Sequence, residues 1–113
     1  MTNHTLRLFF DRMNRAYWGG RLCASRVRFT KLPKKVLGKS KTIYVRGKDH
    51  DTCYVGTVEV SNRLQEIPVF AILTLAHEMV HLARPKAKCQ SNRPTAFHRE
   101  FKRILDAGLY ELL

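Results

Sequence analysis

From residue 4 to 18, Leu6, Phe9, Phe10, Met13 and Tyr17 recur at spacings of three and four, which predicts an amphipathic helix with one apolar face. Gly19-Gly20 follows as a left-handed stop. The pattern then switches to alternation: "RVRFT" (26–30), "TIYVRG" (42–47) and "CYVGTVEVS" (53–61) read as half-buried strands. Between them lie a basic loop, "KLPKKVLGKSK" (31–41), punctuated by Pro33 and Gly38, and the turn "KDHD" (48–51). Helical spacing returns at Pro68, a residue suited to a first turn, and runs to about Leu82 before Arg84-Pro85 ends it. A polar, basic connection (86–93) leads to Pro94 and a last helix with Phe97, Phe101, Ile104 and Leu105 on one stripe before Gly108. The expectation is an α+β fold in a single domain, 1–113. A small, mostly antiparallel sheet would pack against an N-terminal helix, the 68–82 helix and a C-terminal helix.

Composition narrows the class. With 44% hydrophobic and 27% charged residues in 113, the chain can bury a core and is not a disordered tail. No run of about eighteen apolar residues is present, so no membrane span or membrane partner is expected, and the first residues lack a leader-like apolar core. Cys23, Cys53 and Cys89 are odd in number and form no C-x-x-C pair, which argues against a disulfide framework or a cysteine zinc ribbon and for a reducing, cytoplasmic setting.

Charge adds a partner. Residues 1–48 hold thirteen Lys or Arg and one acid, while residues 49–113 hold eight of each, so the whole net charge of +12 sits in the first half. A field of that size attracts polyanions, nucleic acid first, with anionic membrane or acidic protein behind it and solubility alone as the bland alternative. Arg26, Arg28, Lys31, Lys34, Lys35, Lys39 and Lys41 are the candidate contacts for DNA or another nucleic acid. Tyr17 and Trp18 could stack on a base, although core packing suits them better.

The candidate chemistry lies in "LTLAHEMVHLA" (73–83). Residues four apart share a helix face, so His77 and His81 can converge on one Zn2+, and Glu78 can take a proton from a zinc-activated water and return it to a leaving amine. Either histidine alone would carry little information. Two of them with a glutamate, in a helix apolar on nearly all sides, would be costly to bury without a metal. A hydrolytic zinc takes a third protein ligand. The H-E-x-x-H-x-x-G-x-x-H pattern fails at Arg84 and Ala87, leaving His98, Glu100, Asp106, Cys89 and Glu111 downstream. Helical phase puts His98 and Glu100 on opposite borders of the last stripe and separates neither, and the loop setting of Cys89 suggests an inert thiol. A second metal at Asp49, His50 and Asp51 has no further support.

"LTLAHEMVHLA" and "FHREFKRIL" (97–105) resemble the two histidine blocks of the SprT-like zinc metallopeptidases, the family of the Spartan protease that acts on DNA-protein crosslinks. "MNRAYWGGRL" (13–22) and "VRFT" (27–30) resemble the family's opening helix and first strand, so the likeness spans roughly 5–107. It implies a zincin-like catalytic core without the C-terminal zinc ribbon, one Zn2+ per chain, His98 as third ligand with Phe101 behind it, and a protein substrate that can be DNA-bound. Arg99 stands where many members have glycine. The expected function is therefore zinc-dependent peptide hydrolysis, acting on or stimulated by DNA. Its rivals are a zinc-dependent nucleic-acid hydrolase and a non-catalytic, zinc-stabilised nucleic-acid-binding module.

Overall fold

The computed structural model describes residues 1–46, 52–85, 87–90 and 93–113, with 43–46 and 52–54 described by their backbone alone. The chain begins with α1 (Asn3–Trp18), capped by the Thr2 hydroxyl, which accepts from the Thr5 N–H, and closed at Gly19 in the left-handed region at φ 60°. Asn14 secures the exit from this helix. Its amide donates to the Leu22 carbonyl at 2.8 Å and its carbonyl oxygen accepts from the Leu22 N–H at 3.0 Å. Here the asparagine and glycines of the opening block have a local physical role.

Three strands follow, β1 (Cys23–Thr30), β2 (Gly38–Arg46) and β3 (Thr52–Ser61), in the order β1-β3-β2. The sheet is mixed and not mostly antiparallel: β3 is central, parallel to β1 and antiparallel to β2. The reason lies in the 31–37 connection, which carries the chain past the place beside β1, so that β3 returns into the gap. The strand β2 also starts earlier than alternation in "TIYVRG" suggests. Gly38, Lys39, Ser40 and Lys41 pair with Val60, Glu59, Val58 and Thr57. Lysines that alternate outward on an edge strand look like loop in sequence.

A 3-10 turn (Asn62–Leu64) leads to α2 (Pro68–Ala83), and α3 (Ala96–Ile104) begins two residues beyond Pro94. The chain ends in a π-type turn over Leu105–Leu109, where Gly108 at φ 116° breaks the helix, and a final turn, Tyr110–Leu112. One apolar core joins these elements. Leu6, Phe10 and Met13 of α1, Val27 and Phe29 of β1, Val58 and Val60 of β3, Leu75, Ala76 and Met79 of α2, and Phe97 and Ile104 of α3 are all buried in it. The result is a single-domain α+β fold with α1 and α2 on the inner sheet face and α3 against α2. Among the described residues no helix is long and apolar enough to cross a membrane.

Candidate metal centre

The helix α2 buries Ala71, Ile72, Leu75, Ala76, Met79 and Val80 and leaves His77 and His81 half-buried towards α3. Their Nε2 atoms face each other at 3.2 Å. Two nitrogens bound to one tetrahedral zinc stand about 3.4 Å apart, so the pair already has the spacing of a zinc edge. Phe97 lies against both rings, 4.7 Å from His77 and 4.5 Å from His81 between centroids, and Phe101 stacks on Phe97. Burial lowers the pKa of His77, with a further contribution from the nearby His81, and burial likewise lowers that of His81. Neutral rings keep the lone pair that a metal requires.

The third donor in this group is Cys89. Among the described residues, the donor atoms of His77, His81 and Cys89 all lie within 4.8 Å of one another, and together they could hold a metal ion. Two imidazoles and a thiol are a donor set suited to zinc. The loop setting of Cys89 made an inert thiol the expectation, but its sulfur lies beside the histidine pair.

His98, the third ligand implied by the resemblance, is not in that group. It occupies the third position of α3, where Nδ1 accepts from the Thr95 N–H at 3.1 Å while the Thr95 hydroxyl accepts from the His98 N–H, a capping box with histidine in the usual Glu or Gln place. Its Nε2 meets the carbonyl oxygen of Cys89 at 2.8 Å. Glu100, tied with His98 by helical phase, is buried elsewhere. Its carboxylate accepts from the Trp18 indole at 3.1 Å and from Arg103, and Arg84 lies 3.2 Å away. Those partners join α3 to the ends of both α1 and α2 and occupy both carboxylate oxygens. Asp106 is paired with Lys102 on the surface. Asp49, His50 and Asp51 lie outside the described residues.

Glu78 is buried beside Gly38 of the edge strand. Burial raises its pKa, and a hydrogen bond with the Ser40 side chain partly offsets this. Two lobes of one cleft meet there. One, of about 580 Å3, is lined by Gly38, Lys39, Ser40, Thr42, Glu78, His81 and Pro85. The other, of about 640 Å3, includes Val36, Leu37, Leu73 and Phe101 together with Lys35, His77 and Glu78. Ser40 was hidden in what reads as a basic loop; its only sequence signal is the i, i+2 alternation with Gly38 and Thr42.

The basic residues divide by surroundings. On the outer sheet face, register aligns Arg26, Thr57 and Lys41 in one row and Arg28, Glu59 and Lys39 in the next. Arg26, Lys39 and Lys41 are exposed, whereas Arg28 is half-buried and pairs with Glu59 at 3.5 Å. Lys31, Lys34 and Lys35 are exposed on the 31–37 connection. Arg63 holds that connection by donating to the carbonyl oxygens of Pro33, Lys34 and Val36, a positioning role that charge counting misses. Tyr17 and Trp18 are buried in the core, so neither offers a face to a base.

Comparisons with family models, with curated proteins and with solved structures gave no match.

Proposed function

We propose that this chain is a zinc-dependent metalloprotease of SprT-like type that hydrolyses peptide bonds in proteins held on DNA. One observation carries the reading: a buried glutamate with a raised pKa sits in an open cleft beside two imidazoles already spaced as zinc ligands. His77 and His81 would hold the ion, with a third ligand from the connection or the start of α3, where Cys89 and His98 lie. Bound zinc supplies a polarised carbonyl and a water acidic near neutral pH. Glu78 then does the proton work, taking the proton as the water oxygen adds to the carbonyl carbon and delivering it to the amine nitrogen as the C–N bond breaks. Its desolvated carboxylate is a stronger base than one in water.

The peptide substrate is favoured by the free edge of β2, which borders Glu78 and offers main-chain groups to an extended chain. Lys35 and Lys39 line the two lobes, so the basic surface reaches the cleft itself. That adjacency also supports the nuclease reading, and peptidase and nuclease assays on one preparation separate the two. Glu78 argues against a purely structural zinc module, which needs no base. Glu78→Gln keeps the side-chain shape and both histidines; it should bind zinc and DNA like the parent while peptide cleavage falls by about 10²- to 10⁴-fold. Undiminished cleavage would remove Glu78 from the mechanism and the proposal with it.

A further inference from the structure

We infer that Cys89 is the third metal ligand and that His98 is the residue that positions it, through the hydrogen bond from its Nε2–H to the Cys89 carbonyl oxygen. This inference rests on the metal-centre reading above and specifies its donor set as two nitrogens and one sulfur.

The geometry favours sulfur over the third imidazole in two independent ways. First, in a tetrahedral zinc site a nitrogen and a sulfur ligand stand about 3.6 Å apart. The Cys89 sulfur lies within 4.8 Å of both histidine nitrogens, so a shift of about an ångström closes the site. Second, both nitrogens of His98 are already committed. Nδ1 accepts the Thr95 N–H, which makes Nε2 the protonated nitrogen, and that proton points at the Cys89 carbonyl. To ligate, His98 would have to give up the cap of α3 and the bond to Cys89 together. Phe97, buried against both imidazoles, stands edge-on to the His98 ring at 6.0 Å between centroids.

The arrangement gives the capping histidine a second use. A Glu there would cap α3 equally well but has no proton to donate. The neutral imidazole accepts from the helix start on Nδ1 and donates outward from Nε2, so it also holds the backbone of residue 89. The helix start and the ligand loop thus share a single pivot. Thr95 reinforces it, its hydroxyl donating to the Lys88 carbonyl oxygen at 2.7 Å. Residues 88 and 89 are held at successive carbonyls, and the sulfur is aimed at the histidine pair. A metal ion bound there deprotonates the thiol, so its uptake releases a proton.

Cobalt(II) reports the donor set directly, since a thiolate ligand adds an intense sulfur-to-metal charge-transfer absorption in the near ultraviolet that nitrogen and oxygen ligands do not. The metal-stripped 113-residue chain is titrated with cobalt alone. The expected result is one cobalt per chain with the charge-transfer band present. The band should be lost in Cys89→Ser and retained in Cys23→Ser and Cys53→Ser. His98→Glu, which can still cap α3 but has no proton to donate to the Cys89 carbonyl, should keep the band while cobalt affinity weakens about 10- to 100-fold, as for loss of a group that orients a ligand. Cobalt bound to the parent without the band, or a band that survives Cys89→Ser, overturns the cysteine ligand and leaves the metalloprotease reading standing. Loss of cobalt binding in His98→Glu, with circular dichroism unchanged, returns the third position to His98. A parent chain that binds no cobalt overturns both readings.

Discussion

Glu100 shows how a single carboxylate can look like a ligand and be something else. Burial alone would raise its pKa, but the hydrogen bond and charge of Arg103, the charge of Arg84 and the Trp18 indole outweigh it, and the net shift is downward. A carboxyl whose folded pKa is depressed stabilises the fold above its unfolded pKa of roughly 4.3, and that stability is lost as pH falls through the lower folded value. The protein should therefore lose thermal stability as pH falls below about 4. Glu100→Gln should flatten this dependence and cost ~1–3 kcal/mol at neutral pH, read by denaturant melts, since Arg84 and Arg103 are themselves half exposed. Because its bonds run to Trp18, Arg84 and Arg103 and not to the histidines, the same variant should take up zinc normally. A loss of zinc in Glu100→Gln would put Glu100 back among the ligands.

At the scale of elements, the cleft exists because β2 can approach α2 closely at one residue. A Cβ on Gly38 would stand 2.7 Å from the Thr74 methyl and 3.0 Å from Glu78 Cγ. Any side chain there must push the strand from the helix or the Glu78 carboxylate from its place. Gly38→Ala should therefore destabilise the fold by about 1–3 kcal/mol and lower cleavage, with zinc still bound. Thr74→Ser removes the methyl group responsible for the shortest contact, so the double variant should regain part of both losses. If Gly38→Ala melts and cleaves like the parent, the strand-to-helix packing is looser than described. The free edge of β2 beside this contact depends on its place at the end of the sheet, which follows from β3 taking the centre.

On the whole molecule, Arg26, Arg28, Lys39 and Lys41 share one sheet face and Lys31, Lys34 and Lys35 lie on the connection beside it, with Lys35 and Lys39 reaching the cleft. Phosphate contacts made by such a surface position nucleic acid without reading its bases. If five to eight phosphates are neutralised, the logarithm of DNA affinity should fall against the logarithm of salt with a slope of about −4 to −7. Charge reversal at Lys34, Lys35, Lys39 and Lys41 should flatten that slope, whereas Arg28, already paired with Glu59, should contribute less than its neighbours. DNA should also speed cleavage of a DNA-bound protein, and salt should abolish the stimulation before it removes zinc. A rate indifferent to DNA would separate the basic face from the proteolysis proposed here.

Local patterns carried far in this chain because their causes are local. Helical spacing of apolar residues, Gly19, Pro68 and the i, i+4 placement of His77 and His81 depend only on backbone geometry over a few residues, and α1, α2 and the paired imidazoles follow from them. The strand order, the early start of β2 and the partners of Glu100 are decided by contacts tens of residues apart, which alternation and helical phase cannot rank. The third donor is the sharpest case. Its position depends on where residues 87–90 lie against the histidines and on a hydrogen bond from His98 to the Cys89 backbone, so periodicity left the third position open and the family resemblance pointed to the imidazole, while tertiary packing brought the sulfur to the histidine pair.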